Sequence, residues 1–189
     1  TIRGTVEANG DPATIIDGGG QIRVLECTAG ESVDTVFENL VIQNGFANNG
    51  GGMYNDNSSS PTLTNCTFTS NSADRGGVMY NYLSSPTLTD GTFTSNSASY
   101  GGGMYNTSFS SPTLTGCGLC ENIGGNISGG WVDDGGNCLT IGCNDSDGDG
   151  IPDCGNQNSD LELSVPSEYD SILAAIDAAA PGGVITIDA

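Results

Sequence analysis

The chain has 189 residues, with 23 Asp and Glu against three Arg and no Lys or His, so its net charge at neutral pH is −20. This charge excludes nucleic acid and anionic membrane surfaces as partners, and no apolar run approaches the roughly 18 residues of a membrane span. Seven cysteines without any His disfavour a zinc site and favour an oxidising, extracellular or cell-surface location.

The first 42 residues predict short strands separated by turns, which is typical of irregular coils of a β-solenoid. Strand-like segments lie at 1–4, 13–16 and 22–25. The next strand-like segment, residues 36–42, aligns with residues 62–68 of the more regular region. This alignment places Leu40 at the position of Cys66 and Ile42 at the position of Phe68.

Residues 50–122 repeat one pattern three times, with a period of 25 or 26 residues. Each copy runs from a Gly-rich corner into Met-Tyr-Asn, through a Ser-rich turn into Ser-Pro-Thr-Leu-Thr, and on to Phe-Thr-Ser-Asn or Leu-Cys-Glu-Asn. No segment inside the repeat has apolar residues at the i, i+3, i+4 and i+7 spacing of a helix. The pattern therefore predicts a parallel β-helix with one coil per repeat, in which successive coils stack about 4.8 Å apart.

Stacking in register predicts columns of equivalent side chains along the solenoid axis. Three apolar columns are expected to point inwards: Leu63, Leu88 and Leu114; Phe68, Phe93 and Leu119; and Met53, Met79 and Met104. A fourth column, formed by Asn71, Asn96 and Asn122, is expected to hydrogen-bond from coil to coil at a turn. The amide column ends at Gly45, because Gly stands where the preceding Asn would be.

An aromatic column alternates with the methionines, and it is formed by Tyr54, Tyr80 and Tyr105. We expect these rings to face outwards as a stacked tyrosine stripe. Two interpretations remain open from the sequence, which are plain stacking and the binding of a sugar ring.

The repeat carries two short sequence motifs. The first is Gly-Gly-Gly-Met or Gly-Gly-Val-Met, and the second is Phe-Thr-Ser-Asn. These motifs resemble those of the polymorphic outer-membrane-protein type of repeat, which belongs to the right-handed parallel β-helices of the pectin-lyase-like superfamily. The resemblance covers roughly residues 1–140. It implies an all-β fold with a right-handed parallel β-helix over residues 1–141, but no single function, because this fold hosts lyases, adhesins and structural fibres.

After Asn122 the repeat decays into a Gly-rich segment, which predicts one last imperfect coil whose apolar edges Trp131 covers. A sugar-binding role of Trp131 is the alternative. Cys66 and Cys117 share one column and lie two coils apart, about 9.6 Å, so both are expected to be buried thiols rather than a disulfide. The candidates for disulfide bonds lie outside the regular coils: Cys120, Cys138, Cys143 and Cys154.

Residues 142–160 form an Asp-rich linker that carries a candidate calcium site. Carboxylates at alternate positions, a Gly where the loop must turn and an Ile carbonyl match the hard oxygen ligands that Ca²⁺ prefers. The expected ligands are Asp145, Asp147, Asp149, Ile151 and Asp153. The string resembles the calcium repeat of thrombospondin type three, whereas a disordered acidic linker is the alternative. A bridge between Cys143 and Cys154 would close the loop.

Residues 161–189 predict a capping α-helix, a stop at Pro181, and a strand at Val184–Asp188. This order resembles the beginning of a β-helix domain of the same superfamily, in which an amphipathic helix caps the first coil. The resemblance therefore implies that the end of this chain starts another copy. The copies are either tandem repeats of one polypeptide or subunits joined head to tail.

The sequence favours a structural unit of an extracellular filament or surface fibre, built by head-to-tail stacking and stabilised by Ca²⁺. Its expected partners are copies of itself, with glycans at four Asn-x-Ser/Thr sites: Asn57, Asn65, Asn106 and Asn126. A surface adhesin or carbohydrate-binding module using the tyrosine stripe is the alternative. A polysaccharide lyase or hydrolase is disfavoured, because basic residues are scarce and the adjacent Asp133 and Asp134 point to opposite faces of a strand. No catalytic residue is therefore expected.

Overall fold

A computed structural model describes residues 1–140 and 142, which form an all-β parallel solenoid of about four turns with about 26 residues per turn. The predicted fold class is confirmed for these residues. The predicted calcium loop, capping helix and final strand lie outside them.

The described residues form short strands, named here in chain order. They are β1 (Ile2–Arg3), β2 (Thr14–Asp17), β3 (Leu25–Cys27), β4 (Val36–Gln43), β5 (Phe46–Asn49), β6 (Met53–Asn55), β7 (Thr62–Thr69), β8 (Ser72–Arg75), β9 (Met79–Tyr82), β10 (Thr87–Thr89), β11 (Thr92–Thr94), β12 (Ser97–Tyr100), β13 (Met104–Thr107), β14 (Thr113–Thr115), β15 (Gly118–Cys120), β16 (Ile127–Ser128), β17 (Val132–Asp133) and β18 (Cys138–Leu139). The third strand predicted from the sequence at 22–25 begins instead at Leu25.

These strands belong to three parallel sheets that run along the solenoid. One sheet contains β5, β8 and β12, a second contains β3, β6, β9, β13 and β16, and the remaining strands form the largest sheet. Each strand pairs with its equivalent one coil away. The chain therefore climbs the axis by one strand spacing per turn.

The observed register confirms the three predicted apolar columns. Leu88 pairs with both Leu63 and Leu114, Phe93 pairs with Phe68 and Leu119, and Met79 pairs with Met53 and Met104. Leu40 pairs with Cys66 and Ile42 with Phe68, as the alignment predicts. All of these side chains are buried, so the columns form one continuous apolar core along the axis.

A bend in the largest sheet sets the spacing of the inward residues. Leu63, Cys66 and Phe68 are buried, so the first step is three residues and the second is two. The bend is at Asn65, whose φ of 47° is in the left-handed region. Asp90 has the same conformation one coil later, with a φ of 51°. Asn and Asp tolerate this conformation better than most residues with a side chain, which explains their presence at the bend.

The last coil is poorly regular, as the decay of the repeat predicts. Its strands β16, β17 and β18 contain two residues each. Trp131 is half-buried and packs against the apolar core at this end. The indole therefore covers part of the final coil.

Candidate functional site: the N-terminal edge and the tyrosine stripe

The tyrosine stripe is a continuous stack of rings along the axis. The ring centroids of Tyr54 and Tyr80 lie 5.4 Å apart with an interplanar angle of 11°, and those of Tyr80 and Tyr105 lie 5.5 Å apart at 10°. Tyr80 is 9% exposed, whereas its two neighbours are half-buried. The expected stacking is confirmed, and the central ring is more buried than an outward-facing stripe implies.

An arginine covers the N-terminal end of the stripe. The guanidinium carbon of Arg23 lies 4.5 Å from the ring centroid of Tyr54, in a cation–π contact. The same guanidinium donates to the carbonyl oxygens of Asn49 and Gly50 and to the carboxylate of Glu26. Arg23 therefore anchors the first coil to the second, which the sequence did not reveal.

The stacking limits what the tyrosine stripe can bind. Sugars stack on the faces of aromatic rings, but here both faces of Tyr80 are covered by its neighbours, and Arg23 covers a face of Tyr54. Burial raises the pKa of the Tyr54 and Tyr80 phenols, so both remain neutral at physiological pH. For Tyr54 and Tyr80, the ring edges and hydroxyls are the parts that remain for a ligand.

Two columns of asparagine amides connect the coils. In the predicted column, Nδ2 of Asn71 donates to Oδ1 of Asn96, and Nδ2 of Asn96 donates to Oδ1 of Asn122, both at 3.0 Å. The backbone N–H of Gly45 donates to Oδ1 of Asn71 at 2.8 Å. The Asn column and its predicted end at Gly45 are therefore confirmed.

A second amide column, which the sequence pattern did not predict, runs through the interior. Asn55 donates to Asn81 and Asn81 to Asn106, each at 2.8 Å, and all three side chains are buried. The signal was present, because these residues end the three Met-Tyr-Asn motifs. Inside a strand-like segment, however, Asn is ordinarily a turn or surface residue.

The four candidate glycosylation sites differ in accessibility. Asn57 is exposed, whereas Asn65 and Asn126 are half-buried and Asn106 is 6% exposed. The Nδ2 atom of Asn106, to which a glycan would be attached, donates instead to the carbonyl oxygen of Gly130. Asn57 is the most exposed of the four, although its Nδ2 also donates to a carbonyl oxygen, that of Thr28.

The described cysteines fall into two chemical groups. Cys27, Cys66 and Cys117 are free, buried thiols, and burial raises the pKa of each to about 11. Cys120 and Cys138 are disulfide-bonded. The remaining two candidates, Cys143 and Cys154, lie outside the described residues.

The N-terminal end of the solenoid is an open edge. Within the described residues, β1 and β2 pair only with β4, and β3 pairs only with β6. Apolar side chains of this first coil are exposed, with 51% for Ile2, 59% for Ile15 and 64% for Ile22. Unpaired strands beside exposed apolar side chains are a typical site for the addition of another strand.

Charged groups accompany each of these edge strands. On β1, Nε of Arg3 donates to the carboxylate of Glu38 at 2.7 Å. On β2, the carboxylate of Asp17 accepts from the side chains of Gln43 and Asn44 and from the N–H of Gly19, and these bonds lower its pKa. On β3, the carboxylate of Glu26 pairs with Arg23 at 2.7 Å, so the edge presents Arg3 on β1, a carboxylate on β2 and an ion pair on β3.

Polar contacts accompany the C-terminal end of the described solenoid, where β16, β17 and β18 each pair with one described strand and leave a second edge. Asn126 donates to the carbonyl oxygen of Thr140, which ends the first amide column, as Gly130 ends the second. The carboxylate of Asp133 accepts from Asn137 and from the N–H of Gly135, and these bonds lower its pKa. Asp134 accepts from the hydroxyl of Thr115. Asp133 and Asp134, the two carboxylates considered and disfavoured as a hydrolase pair, therefore both have hydrogen-bond partners in the fold.

The predicted calcium ligands, Asp145 to Asp153, lie outside the described residues. Within the described part of the chain, no group of three or more His, Cys, Asp or Glu side chains is arranged to hold a metal ion. No helix in that part is long and apolar enough to span a membrane.

Comparisons with known proteins give no match: no family model, no curated protein and no solved structure is similar to this chain at a significant level.

Proposed function

We propose that the chain is a structural unit of an extracellular filament or surface fibre, in which parallel β-helices of the pectin-lyase-like kind stack head to tail. Ca²⁺ bound by residues 145–153 stiffens the joint between units. The proposal assigns no catalytic activity. The observation that carries it is the open N-terminal edge.

An open edge of this kind needs a cover. Ile16, Val24 and Leu25 pack against the core but remain half-buried, since no described coil covers them on the N-terminal side. Adding a coil there would pair the free backbone groups of β1 to β3 and bury the apolar side chains beside them. A contact that joins the head of one unit to the tail of another does not close on itself, so it builds a filament.

The charge distribution supports a cation at the joint. Residues 1–140 contain 13 Asp and Glu against three Arg, and residues 141–189 contain 10 Asp and Glu without a basic residue. Two such surfaces repel each other unless counterions neutralise them. A divalent cation held by alternating carboxylates supplies that neutralisation.

Sedimentation velocity over a range of protein concentrations tests this proposal. In Ca²⁺, we expect the sedimentation coefficient to rise with concentration as units join, and to return to the monomer value in a chelator. Asp147→Asn combined with Asp149→Asn should abolish the effect of Ca²⁺. Asp160→Asn, which lies outside the proposed ligand set, is the matched control. A single monomeric species under every condition would contradict the proposal.

Carbohydrate binding is the second candidate, and one observation favours it. Arg75 is exposed, forms no ion pair with any described residue, and has its guanidinium carbon 6.0 Å from the ring centroid of Tyr105. A basic group beside an aromatic edge suits an acidic sugar. If an array of acidic glycans is bound by the wild-type chain and not by Arg75→Gln, the adhesin function replaces the structural one.

A further inference from the structure

We propose that Val184–Asp188 of one copy adds as a parallel strand to the free edge of β1 in the next copy, with Ile187 opposite Ile2 and Asp188 opposite Arg3. This inference rests on the proposed head-to-tail function and identifies the contact that would join the units.

The apolar half of the contact follows from the register of β1. Ile2 pairs with Phe37, which is buried and pairs in turn with Leu63. Ile2 therefore stands at the head of an inward column, yet it is 51% exposed because no described side chain covers it from the N-terminal side. An isoleucine one coil earlier would continue the column and remove that apolar surface from water.

The polar half of the contact uses the guanidinium of Arg3. This group has five N–H donors, and the described structure uses its Nε, in the ion pair with Glu38. The side chain of Arg3 is 66% exposed, whereas that of Glu38 is 26% exposed. A carboxylate on the open side would give a column in which Asp188, Arg3 and Glu38 alternate in charge. Cross-strand pairs of opposite charge stabilise a sheet.

Charge also selects β1 from the three edge strands at this end. Each has an apolar residue followed by a charged one, and the three pairs are Ile2-Arg3 on β1, Ile16-Asp17 on β2 and Leu25-Glu26 on β3. The incoming Ile187-Asp188 matches the apolar residue in every case. On β2, however, Asp188 would lie directly opposite the carboxylate of Asp17, and like charges opposite each other destabilise a sheet. On β3 it would lie opposite Glu26, a carboxylate that already pairs with Arg23, so neither strand offers a guanidinium in the position that Arg3 holds on β1.

The alternation of the incoming segment matches the same edge. Ile185 and Ile187 are separated by Thr186, so both isoleucines point to one face of a strand. In the register proposed here, that face is the interior of the solenoid. Thr186 points outwards, as the Thr residues of β7 and β10 do in the regular coils.

The chain could in principle fold back onto itself instead of reaching a second copy. The 43 residues between Thr140 and Val184 can span far more than the height of about four coils. The test must therefore separate pairing within one chain from pairing between chains.

Reversing the charge at position 3 in one variant and at position 188 in another distinguishes pairing within one chain from pairing between chains. Arg3→Glu alone places two carboxylates opposite each other, and Asp188→Arg alone places two guanidinium groups opposite each other. We expect each variant alone, in Ca²⁺, to lose about tenfold or more in association constant by sedimentation. In an equimolar mixture every joint between the two different variants pairs opposite charges, so association should rise well above that of either variant alone. Arg75→Glu is the control, because it reverses a similarly exposed arginine away from this edge.

Recovery of association in the mixture supports the proposed register and shows that both variants fold. Failure of the mixture to recover overturns pairing between chains. If both single variants associate as strongly as the wild type, the register is wrong although the head-to-tail function stands. If the wild type itself does not associate, the proposed function fails, and this inference fails with it.

Discussion

The side-chain amide of Asn55 donates a 2.8 Å hydrogen bond to that of Asn81, 26 residues further along the chain. Asn81 does the same to Asn106 at 2.8 Å, and the three side chains are buried. Because each amide is both donor and acceptor, Asn81 and Asn106 are paired on both sides, whereas Oδ1 of Asn55, the first residue of the column, is buried without a hydrogen-bond partner among the described residues. Polar side chains thus hold successive coils in register where an apolar column would permit slippage.

Removing the central amide of this column should be costly. Asn81→Leu leaves Nδ2 of Asn55 and Oδ1 of Asn106 without their partners, and each buried unpaired group costs about 1–3 kcal/mol. We expect the free energy of unfolding to fall by about 3 kcal/mol in urea titrations. The control Asn48→Ala removes an exposed amide of β5 and should change it by less than about 0.5 kcal/mol. Equal effects of the two substitutions would contradict the role of the column.

The glycine at the corner of a coil limits which residues can replace it. Gly76 has a φ of 64°, and a Cβ atom there would collide with the carbonyl oxygen of Met79. Gly10 also has a positive φ, of 94°, but no atom lies within 4 Å of its Cβ position. We expect Gly76→Ala to lower the melting temperature much more than Gly10→Ala, because only the first adds a steric clash to the backbone strain. Similar shifts for the two variants would show that strain alone sets the cost.

The register of the regular coils was predictable because equivalent residues recur in the sequence with a period of 25 or 26 residues. Leu63, Leu88 and Leu114 recur at a nearly constant spacing, and no other in-phase stacking superimposes them. The first coil was less predictable, since it lacks the repeat. Its strand β3 begins at Leu25 rather than at residue 22, after a turn at Gly18–Ile22. Hydrogen bonds within that turn decide the boundary, and the apolar pattern does not reveal them.

The candidate site was predictable only in part. The stacking of Tyr80 between its neighbours follows from the period, but its burial depends on side chains from adjacent coils. Arg23 covers Tyr54 because it reaches forward to the carbonyl groups of the next coil. Such a contact depends on side-chain length and direction, and no periodic signal marks a residue that occurs once.

The five described cysteines should show two patterns of chemical labelling. Burial raises the pKa of Cys27, Cys66 and Cys117 to about 11, so at pH 8 each is both protonated and inaccessible. We expect iodoacetamide to modify none of them in the native protein and all three in denaturant without reductant, as read by mass spectrometry of peptides. Cys120 and Cys138 should be modified only after reduction. Native labelling of Cys66 or Cys117 would contradict the burial of their column.

The carboxylate of Glu31 should make stability depend on pH. The hydroxyl of Ser59 donates to it at 2.7 Å, and this bond is the main cause of a pKa below the ordinary value of 4.5. Because the pKa is lower in the folded state, the stabilisation is complete above about pH 4.5 and is lost as pH falls through the folded-state pKa.

The sign of this effect is tested by comparison with a variant. The difference in melting temperature between wild type and Glu31→Gln should be constant from pH 7 to about pH 5 and should shrink below about pH 4.5. Taking the difference cancels the change in overall charge repulsion. Glu7→Gln, which replaces an exposed carboxylate of the first coil, is the control. A difference that does not vary with pH would show that Glu31 contributes no charge-dependent stability.

Units of this solenoid are proposed to continue one another along a single axis, and electron microscopy of the purified chain in Ca²⁺, followed by diffraction from aligned material, would show this arrangement. We expect unbranched threads whose diffraction has a reflection near 4.8 Å along the thread axis, since the strands lie across that axis. Separate particles of one chain each, at every protein concentration and with Ca²⁺ present, would contradict it.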